Sequence, residues 1–127
     1  MKIVGLNIGG HDGGCAIVVD GKVCCAIAEE RLNRCKYSPG WLNSLMYCLD
    51  TARIGIQDVD LFVFSSYGPP LPENFDGGIP RFSHTTAKFT SIDHHLSHAF
   101  AAFAFSPYEE ALLVVMDGWG NNKDTES

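Results

Sequence analysis

Residues 2–30 read KIVGLNIGGHDGGCAIVVDGKVCCAIAEE. The run 2–8 has the apolar density of a buried strand and is followed by a glycine-rich turn, Gly9 to Gly14. A second apolar run, CAIVVD, meets a third, KVCCAIAEE, across Asp20-Gly21. An Asp-Gly pair between two apolar runs signals a two-residue hairpin, because both central positions of its turn need a positive φ. The chain is therefore predicted to open with three antiparallel strands.

Further along, residues 31–40 (RLNRCKYSPG) are polar and basic and read as a connection. Trp41, Leu42, Leu45, Met46, Leu49 and Ala52 recur at helical spacing, which predicts a helix from about Trp41 to Arg53. DLFVFS, 60–65, predicts a fourth strand from its β-branched and aromatic content. The stretch from Tyr67 to Lys88 is too long and proline-rich for a plain connection, and a short strand, KFTSI, follows it. Asp93 suits the N-cap of a helix over HHLSHAFAAFAF, which stops at Ser106-Pro107. Ala111 to Met116, ALLVVM, reads as a last buried strand ending at Asp117-Gly118. The order β-β-β-α-β-α-β indicates an α/β fold, a mixed sheet with helices on its faces. It is the order of a ribonuclease-H-like lobe, the unit duplicated in the actin-like ATPase superfamily.

The chain has 127 residues, 46% of them hydrophobic and 19% charged, which suits one globular domain. A net charge of −6 without a basic tract argues against nucleic acid as a partner. The longest apolar runs are strand-sized, so no membrane span is expected. The N-terminus lacks a signal peptide's apolar region, and a cytoplasmic protein is expected. The five cysteines, Cys15, Cys24, Cys25, Cys35 and Cys48, show no CxxC spacing and read as free thiols. A zinc site built on Cys35 and Cys48 is the sharper alternative, with no paired spacing behind it.

Four constellations could carry chemistry. In DHHLSH, 93–98, His94 and His98 lie four apart on one helical face, the spacing with which two imidazoles chelate a divalent metal. His95 points elsewhere on that reading. The bland alternative is a polar helix start with solvated imidazoles. Asp117, at the end of an apolar run and before Gly118-Trp119-Gly120, is either an ordinary Asp-Gly turn or the third metal ligand. The turn around His11-Asp12 can line a phosphate with backbone amides and aim a titratable imidazole at it; it can equally be a solvated hairpin. Arg31, Arg34 and Lys36 are the one positive cluster, able to hold a phosphate or to form ion pairs within a solvated connection. Neither a P-loop nor a serine-hydrolase elbow is present.

The runs GLNIGGHDGGCAIVVDGKVCCAIAEERLNRCKY and IDHHLSHAFAAFAFSPYEEALLVVMDGWG resemble two blocks of the O-carbamoyltransferases of nodulation-factor and antibiotic biosynthesis. A more distant resemblance is to the tRNA threonylcarbamoyl-adenosine synthases. The resemblance covers nearly the whole chain and is weakest over 67–88. It implies that carbamoyl phosphate is activated with ATP to a carbamoyl-adenylate, whose carbamoyl group passes to an acceptor hydroxyl. It implies a divalent metal, iron ahead of zinc, on His94, His98 and Asp117. It also implies catalytic roles for His11 and Asp12. Cofactor contacts then fall at Gly9, Gly10, Gly118 and Gly120, and substrate contacts at Arg31 and Lys36. Such an enzyme needs a second lobe and an activating domain, so residues 1–127 are expected to be a single N-terminal lobe, inactive alone and prone to self-association. Two other classes stay open: a non-catalytic metal-binding or dimerising module derived from such a lobe, and an ATPase or kinase of the actin-like superfamily. The histidine cluster speaks against the latter, whose metals sit mainly on carboxylates and water.

Overall fold

The structure is a computed structural model and describes residues 1–66 and 86–118. Strands β1 (Lys2–Asn7), β2 (Gly14–Val19) and β3 (Lys22–Ala28) form the expected antiparallel start. At the β2–β3 turn Asp20 and Gly21 take φ of 49° and 79°, the mirror-image turn whose twist matches the flanking strands. Helix α1 (Glu29–Asn33) follows, then α2 (Leu42–Ala52), a 3₁₀ turn (Ile56–Asp58), β4 (Leu61–Ser66), β5 (Lys88–Asp93) and α3 (His94–Ala104). The five strands make one mixed sheet in the order β3-β2-β1-β4-β5, with β4 parallel to both β1 and β5.

Strand alternation divides the sheet into two unlike faces. Val4, Leu6, Cys15, Ile17, Phe62 and Phe64 project onto one side and pack with Leu45, Cys48 and Leu49 of α2. Phe89 of β5 stacks on Phe62, with ring centroids 5.2 Å apart. On β1 to β3 the opposite side carries small residues, with Gly5 facing Ala16 and Ala16 facing Ala26. A shallow depression of about 430 Å³ lies over them, with Asn7 and Asp12 at one end.

Three expectations need correction. Residues 111–116 form no strand: they are irregular, and Leu112 and Met116 are 90% and 87% exposed. An apolar run signals capacity for burial, but a strand also needs a ladder partner, which this segment lacks among the described residues. The observed order therefore closes on β5 and α3 without the expected final strand. The predicted connection at 31–40 is partly helical, since α1 already covers Glu29–Asn33. Finally, α2 is turned relative to its apolar pattern: Ser44 and Cys48 are buried, whereas Leu42 and Met46 are exposed. The stretch 67–85, including His84, and residues 119–127, including Gly120, lie outside the described residues.

Candidate functional site

The glycine-rich turn is organised by the residue that ends β1. Asn7 Nδ2 donates to the Asp12 carbonyl at 2.8 Å, and the Gly9 N–H donates to Asn7 Oδ1 at 3.3 Å, so one amide pins both ends of the turn. Asp12 has φ 53°, a left-handed conformation that a short polar side chain tolerates. Its Oδ2 lies 2.6 Å from His11 Nδ1. A carboxylate can only accept, so this bond fixes the proton on Nδ1 and the lone pair of the neutral ring on Nε2. Both side chains are exposed. Gly9 is buried within the turn and Gly10 is exposed.

Behind the turn runs a strap, residues 34–41, that joins α1 to α2. The Gly13 N–H donates to the Ser38 carbonyl at 2.7 Å, and the Gly13 carbonyl accepts from the Glu29 N–H at 2.8 Å. A Cβ on Gly13 would overlap the Gly40 carbonyl, so only glycine fits. Glu29 stands at the end of the third apolar run of the sequence. It is 2% exposed, and its carboxylate accepts from Asn43 N–H, Asn43 Nδ2 and Ser44 N–H. Burial pushes its pKa up, but the bonds from Ser44 and Asn43 outweigh burial and hold it below the ordinary glutamate value. Arg31 lies in the last turn of α1 and Lys36 sits on the strap; both are exposed, and neither forms an ion pair among the described residues.

At the other end of the site, Asp93 caps α3 as expected, with Oδ1 accepting from the Leu96 N–H at 3.0 Å. Asp117 Oδ2 lies 2.9 Å from His94 Nε2 and 3.2 Å from His95 Nε2. The expectation that His95 points elsewhere is thus overturned: the helix has only just begun, and consecutive side chains still straddle one carboxylate. His98 meets His94 edge to face, with centroids 4.6 Å apart. A groove of about 340 Å³ between α3 and residues 113–117 is bordered by His98 and Asp117. Among the described residues no group of three or more His, Cys, Asp and Glu side chains stands in a geometry that could hold a metal ion. His94, His98 and Asp117 are therefore gathered together, but as a carboxylate shared by two imidazoles with a third ring alongside. Gly118 is exposed with open space around it. All five cysteines are free thiols, as expected, and Cys48 is buried whereas Cys35 is exposed, which does not favour the zinc alternative.

These pieces meet at one edge of the sheet. Register aligns Asn7 with Gly14, Gly14 with Ala28, Asn7 with Ser65, and Ser66 with Asp93. The glycine-rich turn, the start of α1 and the start of α3 all leave from that edge, which is the C-terminal end of the parallel strands β1, β4 and β5. The turn after β1 and the helix after β5 are two strands apart, about 10 Å at ordinary interstrand spacing. Open α/β sheets bind ligands at such an edge. Ser65 was not foreseen there: its Oγ lies 3.0 Å from Ser97 Oγ, which also donates to the His94 carbonyl at 2.8 Å. No sequence signal could have paired two serines that only β4 and α3 bring together. Asn7 was findable, since Asn before a glycine-rich turn commonly bonds to its own downstream backbone.

Residues 2–76 match the family described as carbamoyltransferase N-terminus. The chain belongs to this family. The chain is 29% identical to the nodulation protein NolNO of Sinorhizobium fredii, over 87% of this chain and 20% of that one. It is likewise 29% identical to an uncharacterized protein of Synechocystis, over 93% of this chain and 25% of the other. The chain thus spans about a fifth to a quarter of the length of these relatives. Among solved structures it resembles the activator of a 2-hydroxyisocaproyl-CoA dehydratase from Clostridium difficile, with TM-score 0.56 and 18% identity over 84% of this chain and 34% of that one. YeaZ from Pseudomonas aeruginosa gives TM-score 0.56 and 15% identity over 83% and 51%. The chain therefore has a ribonuclease-H-like α/β fold. No helix of its described residues is long and apolar enough to cross a membrane.

Proposed function

We propose that the lobe forms the transfer-site half of an ATP-dependent O-carbamoyltransferase, which moves a carbamoyl group from a carbamoyl-adenylate to an acceptor hydroxyl. The observation that carries the reading is the shared sheet edge, where a glycine-rich turn bearing an Asp-oriented imidazole faces a histidine-rich helix start. On this reading His11 Nε2 takes the proton of the acceptor hydroxyl, and Asp12 stabilises the imidazolium that results. Gly9, Gly10 and Gly118 offer backbone room for the adenylate phosphate, and the family resemblance adds Gly120, which lies outside the described residues. Arg31 and Lys36, exposed and without ion pairs among the described residues, are the cations that meet phosphate or carbamoyl phosphate.

The same proposal gives His94, His98 and Asp117 a divalent ion, iron ahead of zinc. Donor chemistry supports it: two imidazoles four residues apart and a carboxylate 2.9 Å from one of them suit iron or zinc better than magnesium or calcium. Here Asp117 is engaged by His94 and His95, so ligation requires the carboxylate to turn from those bonds. When bound, such an ion would neutralise charge as the adenylate leaves.

Calorimetric titration of the chain with zinc or ferrous iron tests the assignment. Replacing His94 or His98 by Ala is expected to weaken binding by at least about tenfold, whereas His84→Ala leaves it unchanged. Equal effects at His84 and His98 would remove the metal from the proposal. The isolated chain is expected to show no carbamoyl transfer with ATP and carbamoyl phosphate, because one lobe cannot exclude water from an adenylate. Robust turnover would show the site to be complete without further chain.

A further inference from the structure

We propose that Glu29 is a positioning residue of this site: its buried carboxylate fastens the strap 34–41 and, through Gly13, sets the turn carrying His11 against the segment carrying Arg31 and Lys36. The functional part of this inference rests on the proposed reading of those side chains; the fastening itself does not.

Glu29 is 2% exposed and forms no ion pair among the described residues, so its charge is held by hydrogen bonds alone. Oε1 accepts from the Asn43 N–H at 3.3 Å and Asn43 Nδ2 at 2.5 Å, and Oε2 accepts from the Ser44 N–H at 2.8 Å. These amides belong to the first turn of α2, whose own N-cap, Trp41, supplies no side-chain cap. A helix that needed only a cap would carry Ser, Thr, Asp or Asn at position 41. Here the cap comes instead from the first residue of α1, directly after β3, so the start of α2 and the sheet edge share one carboxylate.

The backbone of Glu29 completes the link. Its N–H donates to the Gly13 carbonyl, while the Gly13 N–H donates to the Ser38 carbonyl on the strap. Gly40 lies against the Glu29 side chain, where an added Cβ would stand 3.5 Å from Cγ. The rest of the strap is tied to α1: Asn33 Nδ2 donates to Ser38 Oγ, the Tyr37 N–H to Glu30 Oε2, and the Cys35 N–H to Asn33 Oδ1. The turn, the strap and α2 therefore converge on Gly13, Gly40 and Glu29.

Three donors surround two carboxylate oxygens, so the carboxamide of Glu29→Gln must present its NH₂ to another donor whichever way it turns. Backbone hydrogen exchange on the full 127-residue chain reads the result. In Glu29→Gln the Gly13 and Ser44 amides are expected to exchange at least about tenfold faster relative to those of Val4 and Leu6, a local opening of strap and turn. Ile17→Val, a mild core deletion away from the strap, is expected to speed all four together. Equal ratios in the two variants, or an unchanged Gly13, would overturn the inference. Should Glu29→Gln fail to fold, Asn43→Ala removes one donor and keeps the charge; it must give the same pattern more weakly, and an unchanged ratio there overturns the inference as well. Inorganic pyrophosphate titrated into the same samples separates the two readings. A wild-type response at His11, Gly9 and Gly10 that weakens at least fivefold in Glu29→Gln supports positioning, and one that keeps its midpoint overturns it. No wild-type response, with Gly13 exchange still following Glu29, supports the fastening and removes the proposed function.

Discussion

A methyl group on Gly13 has nowhere to go. The space it needs is held by the Gly40 carbonyl, and both backbones are fixed, one by the Ser38 bond and the other by the packing against Glu29. Gly13→Ala is expected to destabilise the fold by about 3 kcal/mol, the upper end of the range for inserting bulk where neither partner can yield. Gly21→Ala meets open space and is penalised only by its φ of 79°, about 1 kcal/mol. Gly5→Ala, with its nearest neighbour 3.9 Å away, should be close to neutral. Urea denaturation of the three would check the order, and a Gly13→Ala as stable as Gly5→Ala would contradict this packing. Glu29 adds a pH signature. Its folded-state pKa lies below the ordinary value, so the unfolded chain binds the proton more tightly. Its contribution is therefore present above the unfolded pKa and is lost as pH falls through the acid range. Stability measured downward from pH 7 should fall less steeply in Glu29→Gln than in the wild type, and parallel curves would show that Glu29 is not the group responsible.

Among the elements, α2 separates what patterning can tell from what it cannot. The spacing of Leu45 and Leu49 located the helix, but not that Ser44 and Cys48 would be buried and Leu42 and Met46 exposed, with the Ser44 N–H bonded to Glu29. A carboxylate 15 residues upstream leaves no periodic trace. The Asp20-Gly21 hairpin was legible because its turn chemistry is local. Residues 111–116 were misread because pairing is not. At the site, Asp93 and the His94/His98 spacing could be read from helix geometry, whereas the approach of Asp117 to His95 depends on a chain return that no motif encodes. The inward turn of α2 has a chemical consequence. Burial pushes the Cys15 thiol up, and burial together with the neighbouring Cys25 thiol raises Cys48 to about 12. Thiolate is the reactive form. At pH 8, Cys24 and Cys35 should therefore react with a disulfide reagent first, and Cys15 and Cys48 only as fast as the lobe unfolds. Rapid labelling of Cys48 in the folded chain would mean that α2 does not pack on β2 and β3 as described.

For the molecule as a whole, the distribution of apolar surface bears on what the lobe does alone. One sheet face is sealed by α2, yet Phe100 and Phe105 of α3 and its tail are exposed, as are Leu112, Val114 and Met116 of the segment after it. Exposed side chains of that size concentrated in one 17-residue stretch, 100–116, are the kind of surface that favours association. The net charge of −6 opposes association only at low ionic strength, since screening removes repulsion between distant surface charges. The isolated chain is thus expected to self-associate with rising concentration, and more readily in salt. Leu112→Lys with Val114→Lys should return it to monomer without loss of thermal stability, because neither side chain belongs to the core. The same pair separates the two functional classes. If the lobe were a dimerising module, the double variant would abolish its function while metal binding at His94 and His98 survived. If the exposed stretch instead packs against further chain of a carbamoyltransferase, the variant should impair assembly with that chain as well as abolish the self-association of the isolated one. Sedimentation of both forms across a range of concentration and salt decides, and a wild-type chain that stays monomeric throughout would remove self-association from the account.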